Sequence, residues 1–256
     1  MTSSDIFDAV VIGGGPSGAT AAHDLAKLGR SVLLLDRAGR IKPCGGAIPP
    51  RLIRDFDIPD HLLVAHVNSA RMVSPSDQQV DMPIDGGFVG MVDRDVFDEW
   101  LRTRAAEAGA KRRTATFKRF ERDETDTTIV HYEERAADGT MVAKTVRTRA
   151  LIGADGALSA VARQCFPGSD RLPYVFAYHE IVRAPPVASS FDGTRCDVYY
   201  RGSVSPDFYG WVFPHGDTVS VGTGSARKGF SLRESVGGLR DAAGLGTSEK
   251  IGRAHV

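Results

Sequence analysis

Cysteine, tryptophan and unbalanced charge are what this chain of 256 residues has least of. Its three cysteines, Cys44, Cys165 and Cys196, stand at neither CxxC nor any metal-ligand spacing; this excludes a cysteine-built metal site and points to a reducing compartment, so the cytoplasm is the expected location. Thirty-two basic against thirty-two acidic side chains leave no field that would favour nucleic acid. The basic cluster Lys111, Arg112, Arg113, Lys118 and Arg119 is interleaved with Thr and Phe and reads as a solvated strand face. No apolar stretch approaches a bilayer span, and the N-terminus carries no secretory pattern, so the chain is expected to be soluble or at most peripheral on a membrane. Repeats and low-complexity segments are absent as well, and the length suits one large domain or two small ones.

What is present begins at once. Val10, Val11 and Ile12 form a short apolar run of the kind buried in parallel sheets, and Gly13, Gly15 and Gly18 then make a G-x-G-x-x-G turn into a helix. Gly13 permits the sharp reversal, Gly15 lets backbone N–H groups approach a pyrophosphate, and Gly18 lets the helix press on the strand. An anion there meets the positive end of the helix dipole. The helix, expected over 17–28, has Ala19, Ala22, Leu25 and Ala26 on one stripe and Gly29 as its stop. A second strand over 31–35 ends in Asp36, the acid expected on an adenosine ribose hydroxyl, with Arg37 placed beside it as a further cofactor residue. A lone glycine fingerprint is weak; strand, glycines, helix, strand and terminal acid in order predict dinucleotide binding.

The next stretch, IKPCGGAIPP, is broken by Pro43, Gly45, Gly46, Pro49 and Pro50 and cannot be a regular helix or central strand. Such a loop is usually a plain connection. Beyond the end of a parallel sheet it can also line a ligand site, with Cys44 on a constrained backbone. A hairpin is expected over 70–74 and 79–82, then a helix opened by Arg94 with Val96, Phe97, Trp100 and Leu101 on one side. By position alone Arg94 is a solvated first-turn charge. Strands follow near 114–120, 127–132 and 141–147, the last two joined at Asp138-Gly139, and Leu151-Ile152 forms a further short strand ending in Asp155, whose carboxylate can reach a ribose or ribityl hydroxyl. From Tyr174 the pattern is antiparallel, and Tyr209, Trp211 and Phe213 alternate onto one face. Rings on one face are more often core, but Pro206, Gly210 and Pro214 break up the strand, and such a face also suits a long hydrocarbon.

Taken together, GGGPSGA with Asp36, KPCGGAIP, GMVDRDVFDEWL, GADGALSAVAR and SPDFYGWVFPHGDTVSVGTG resemble the geranylgeranyl reductase family of FAD-dependent enzymes, most of all its chlorophyll and bacteriochlorophyll branch. The likeness runs to about Ala243, and PCGG and YGWVFP are its most specific parts. It implies an α/β fold of the p-hydroxybenzoate hydroxylase type: a Rossmann-like FAD-binding domain of residues 1–69 and 88–168, with a meander at about 114–149, an antiparallel-sheet substrate domain of 70–87 and 169–245, and an irregular tail at 246–256. The resemblance places Gly13, Gly15, Ser17 and Gly18 at the FAD pyrophosphate, Asp36 at its ribose, and Arg94 and Asp155 on the cofactor. Cys44, Gly45 and Gly46 fall beside the flavin ring; Pro206, Tyr209, Trp211, Phe213 and Pro214 fall at a prenyl cavity.

The activity implied is NADPH-driven reduction of FAD, followed by hydride and proton transfer to isolated alkenes of a geranylgeranyl tail, on bacteriochlorophyll or on free geranylgeranyl diphosphate, to give phytyl. Proton-donor candidates are Cys44 and Tyr209, with His215 behind them, and NADPH, lacking a second glycine fingerprint, is expected to dock transiently. Three alternatives remain: a prenyl-lipid reductase of the same fold, an FAD monooxygenase, and an inactive fragment. The last arises because the family continues to a third FAD segment that these residues do not contain, so the chain is expected to be C-terminally truncated, with weakened FAD affinity and an uncovered sheet edge. Peripheral association with a photosynthetic membrane is a further expectation, prompted by the greasy substrate.

Overall fold

The computed structural model describes residues 6–37, 44–186 and 191–255, which leaves Pro43 of the PCGG stretch outside the described residues. In chain order the elements are β1 (Phe7–Ile12), α1 (Pro16–Lys27), β2 (Val32–Asp36), β3 (Ala47–Ile48), α2 (Pro50–Asp55), β4 (Ala65–Val67), β5 (Ser69–Val73), β6 (Gln79–Pro83), β7 (Val89–Met91), α3 (Arg94–Glu107), β8 (Lys111–Arg122), β9 (Thr128–Arg135), β10 (Met141–Gly153), α4 (Ala160–Cys165), β11 (Phe176–Arg183), β12 (Arg195–Tyr199), β13 (Gly210–His215), β14 (Thr218–Ser225), α5 (Leu232–Ala242) and β15 (Lys250–His255). They fall into two compact units, residues 1–40 with 97–172 and residues 41–96 with 173–256. No helix among the described residues is long and apolar enough to cross a membrane.

In the first unit β10, β1, β2 and β8 pair in parallel, and β9 joins β8 to β10 by antiparallel pairing, so the sheet closes on itself. The apolar runs of β1 and β2 are continuous because both faces are covered. Val10, Ile12, Leu33 and Leu35 pack inward against Val130, Tyr132 and Val161. Val11, Val32 and Leu34 pack on the opposite face with Ala22, Ala26 and Ala105. The small-residue stripe expected on α1 is therefore its packing face, and Gly29, at φ 72°, ends the helix by donating to the Ala26 carbonyl. On α3 the buried stripe is Phe97, Leu101 and Ala105, whereas Val96 is exposed, contrary to expectation. The two strands expected at 141–147 and 151–152 are one: β10 runs unbroken, because Arg147 and Arg149 turn out to Asp123 and Asp8 while the buried Thr148 hydroxyl donates to the Phe7 carbonyl. Among the basic residues of β8, Arg112 is ion-paired with Glu99 and Lys118 with Glu133, while Lys111 lies over the Phe7 ring and Arg113 donates to the Tyr132 hydroxyl.

The second unit holds a sheet in the order β15-β11-β14-β13-β12-β5-β6, antiparallel except for β12 with β5, and a small sheet β3-β7-β4. One face of the large sheet carries Tyr178, Val182, Val212, Val219 and Val221, buried under Val236 and Leu239 of α5. The other face meets the small sheet, where Val67 and Met91 bury Cys196 and partly cover Phe213. That burial is why residues 41–69 and 88–96, expected in the cofactor domain, cluster with the large sheet instead. The expected irregular tail is also corrected: β15 pairs antiparallel with β11, its alternating Ile-Gly-Arg-Ala supplying a seventh strand. Buried Glu180 of β11 ties this strand in, accepting from Tyr178, Arg240 and Lys250.

Candidate functional site

In the first unit the glycine turn is built from close backbone approach. Gly13 adopts φ 102° and donates to the Leu35 carbonyl at 2.8 Å; a side chain there would collide with the Ala154 carbonyl, and one at Gly18 with the Gly13 carbonyl. Gly15 differs. It N-caps α1 without a side-chain bond, Pro16 follows at the first helical position, and nothing stands within 4 Å of the place a Cβ would occupy. That open space adjoins the start of α1, whose first turn holds no acid to oppose an anion, so the residues present fit the pyrophosphate of a dinucleotide. Asp36, at the end of β2, lies beside Gly14, its Oδ2 being 2.7 Å from where a Gly14 Cβ would stand.

One residue here was missed by the sequence reading. Arg102 of α3 donates to the Gly14 carbonyl at 3.1 Å and pairs with Asp36 at 3.4 Å, linking the turn to the acid. Glu99 holds Arg102 at 3.0 Å and forms a bidentate pair with Arg112, which together bring its carboxyl down to about 2, Arg112 being the largest cause. The available signal was the Glu99-to-Arg102 spacing on a helix, too common to single out. Ser17 and Arg37 are exposed. Asp155 has both oxygens engaged at the start of α4, accepting from the Ser159 hydroxyl and from the Ala160 amide at 2.6 Å, so a ligand hydroxyl there has to share the carboxylate with a helix cap.

In the second unit, Cys44, Gly45 and Gly46 lie against the ring-bearing face of β13. A Cβ on Gly45 would stand 2.8 Å from Phe213 and 3.5 Å from the Trp211 nitrogen; one on Gly46, at φ 75°, would stand 2.5 Å from the Val92 carbonyl and 2.6 Å from His215. Trp211, Phe213 and His215 alternate onto this face, with ring centroids of Tyr209 and Trp211 6.2 Å apart and of Trp211 and Phe213 6.4 Å apart. The alternation predicted for the aromatic residues is thus observed. Two prolines depart from it. Pro214 pairs with Val219 on the α5 side of the sheet, opposite the rings, and Pro206 is exposed ahead of the strand, so neither shares the aromatic face of β13.

His215 is an anchor for this loop. Its Nδ1 lies 3.0 Å from an Asp93 carboxylate oxygen and its Nε2 3.0 Å from the Gly45 carbonyl. Both ring nitrogens thus face acceptors, a carboxylate on one side and a backbone carbonyl on the other. The Tyr209 hydroxyl is half-buried and raised above the ordinary phenol value by burial first, then by Tyr200 and Cys44. Cys44 itself is exposed, whereas Cys196 is buried and its thiol is pushed up to about 12. Arg94 opens α3, half-buried, among the residues of the second unit.

Glycines of β14 complete the face. Gly222 lies under the Trp211 indole and Gly224 under Phe208, whose ring is 3.0 Å from where a Gly224 Cβ would stand. The GTG run in the sequence was the signal for this, and it went unread.

Comparison with known proteins adds four findings. Residues 7–219 match the family described as FAD binding domain. The chain is 57% identical over 245 residues to a geranylgeranyl diphosphate reductase of Rhodobacter capsulatus, an alignment covering 96% of this chain and 61% of that protein. It is 39% identical over 227 residues to the chloroplastic geranylgeranyl diphosphate reductase of Oryza sativa subsp. japonica, covering 84% of this chain and 48% of that one. Among solved structures, a geranylgeranyl bacteriochlorophyll reductase-like protein of Thermoplasma acidophilum superposes with a TM-score of 0.83 at 25% identity, covering 98% of this chain and 66% of that one. The chain thus spans about half to three fifths of the length of these two curated relatives.

Proposed function

The chain belongs to the FAD-binding domain family, and on that premise we propose that it is the flavin- and prenyl-binding part of a reductase of geranylgeranyl groups. The substrate proposed is the geranylgeranyl tail of bacteriochlorophyll, or free geranylgeranyl diphosphate, with NADPH as the source of electrons. The observation that carries this reading is the packing of Gly45 against the Trp211 and Phe213 rings, a face with hydrocarbon chemistry, with the exposed Cys44 thiol next to it in the chain. The relatives' names support it.

Reduction of an isolated alkene requires a hydride at one carbon and a proton at the other, in a site from which water is kept out. FAD, when bound, supplies the hydride. The turn of Gly13, Gly15 and Gly18 with the first amides of α1 would hold its pyrophosphate, and Asp36, steadied by Arg102, its ribose. Trp211 and Phe213 would seat the hydrocarbon and exclude water. The proton falls to Tyr209 or Cys44: Tyr209, with its phenol raised by burial, keeps its proton at neutral pH and can lend it, though as a weaker acid. Transient docking of NADPH, location in the cytoplasm and peripheral attachment to a photosynthetic membrane belong to the same proposal; the attachment follows from where so apolar a tail resides.

The test is the absorbance spectrum of the purified 256-residue chain with added FAD, then with NADPH without oxygen, then with geranylgeranyl-bacteriochlorophyll and mass analysis of its tail. Flavin bands that co-elute, bleach with NADPH and recover as the tail gains hydrogen are expected. A colourless chain that ignores FAD would overturn the reading for these residues.

A further inference from the structure

A second buried histidine, on the same face as His215, has no part in the function above. His179 of β11, Gly222 of β14 and Trp211 of β13 lie directly opposite one another across three strands and so share the ring-bearing face. The indole lies flat over Gly222, the one position in the row without a side chain to block it. Its Nε1 is 3.1 Å from the Ser220 hydroxyl, and that hydroxyl is 3.1 Å from His179 Nδ1. All three side chains are buried: 6% exposed for Trp211, 0% for Ser220 and 8% for His179.

The direction of this chain follows from the groups themselves. An indole nitrogen only donates, so Ser220 Oγ accepts from Trp211; Ser220 has one proton left, and His179 Nδ1 is the acceptor within reach. Satisfying all three buried groups therefore requires a neutral His179 with its proton on Nε2. Burial, and secondarily the nearby His215, favour the same state by pushing His179 down to about 4.

We propose that His179 is a positioning residue: through Ser220 it fixes the rotation of the Trp211 indole, and so sets the shape of the aromatic floor against which Gly45 lies. What that floor accepts rests on the prenyl reading; the lock itself does not. The chain leaves no rotational slack in Trp211, with Gly222 beneath the ring and Ser220 holding its edge, and gives the floor a flat surface for an extended apolar ligand rather than a pocket that reshapes around each one.

The experiment uses the 256-residue chain with Trp100→Phe, which leaves Trp211 as the one indole reporter. Ser220→Ala and His179→Leu should raise the hydrogen-exchange rate of the indole N–H about tenfold, the worth of one buried hydrogen bond, and shift its emission. His179→Asn, whose Oδ1 takes the place of Nδ1, should restore both, a recovery that a purely space-filling role would not give. Circular dichroism identifies any variant that fails to fold, and Ser220→Ala, a change of one oxygen, then decides the matter. Unchanged indole exchange in Ser220→Ala, or no recovery in a folded His179→Asn, would overturn the lock. A geranylgeraniol titration read by the same fluorescence separates the readings. Binding weakened about tenfold in Ser220→Ala and His179→Leu but kept in His179→Asn supports the lock as a determinant of ligand fit; if the unaltered chain takes no geranylgeraniol, the prenyl reading falls while the lock is judged by exchange alone.

Discussion

The two units build their candidate sites by opposite means. In the first, the working groups are backbone: amides at the start of α1, a carbonyl held by Arg102, glycines whose missing side chains let strand and helix meet. In the second they are chiefly side chains drawn from three separate stretches, residues 93, 179 and 209–222, with the Gly45 and Gly46 backbone laid against them. A backbone site is local in sequence because one turn makes it. A side-chain site on a sheet is assembled across strands, so its members are scattered and each looks ordinary alone.

The largest effects should come where that contrast is sharpest. Gly18→Ala places a methyl on the Gly13 carbonyl, and Gly13→Ala adds a strained φ of 102°; either should cost about 2–4 kcal/mol in denaturant unfolding and abolish FAD uptake. Gly15→Ala meets nothing within 4 Å, so its unfolding midpoint should stay put while FAD affinity falls. Equal losses of stability at Gly15 and Gly18 would break the distinction between a glycine kept for packing and one kept for a ligand.

Acid should then unsettle the second unit before the first. His179 is held at about 4 against an ordinary 6.5, so as the pH falls through that window the unfolded chain takes up the proton first and stability is lost; above 6.5 nothing is lost. The full effect is up to about 3 kcal/mol, and His179→Asn should remove the slope from urea unfolding measured between those limits. Smaller in scale is the loop. His215→Phe deletes the bonds to Asp93 and the Gly45 carbonyl, and Cys44, already exposed, should react several-fold faster with a thiol reagent. No change in that rate would mean the loop is held by Phe213 alone.

How much was legible follows the same division. The strand, glycine turn, helix and Asp36 could be read directly, since each signal lies within a few residues of the next. The aromatic alternation at 209–213 was readable too, because period two is visible in one strand. What escaped was non-local. Thr148 looks like a polar break between two strands until its hydroxyl is seen to bond the Phe7 carbonyl in a buried sheet. The tail at 250–255 has no strong strand propensity, and becomes β15 because β11 offers it an edge. Pro214 reads as one of an aromatic motif, yet parity turns it to the α5 side. Arg102 and His179 stand in no quoted motif, and Ser220 goes unmarked inside one; their importance lies in which backbone or ring they touch.

The smallest effect sharpens the comparison from the other side, because a charge cluster of the first unit should feel acid last. The Glu99 carboxyl is drawn down to about 2 from 4.5 by Arg112 and Arg102, so its contribution is present in full above 4.5 and is lost as the pH falls toward 2. Its side chain is 49% exposed, and solvent screening keeps the pair below about 1 kcal/mol. Arg112→Met should thus lower stability slightly at neutral pH and not at all near pH 2. Arg102, losing only a neighbour of its partner, should still hold Gly14 and Asp36, and FAD uptake in Arg112→Met should fall less than in Arg102→Met. If the two variants lose FAD equally, the ion-pair network reaches the glycine turn as one unit, and the backbone site of the first unit depends on side chains as much as the face of the second does.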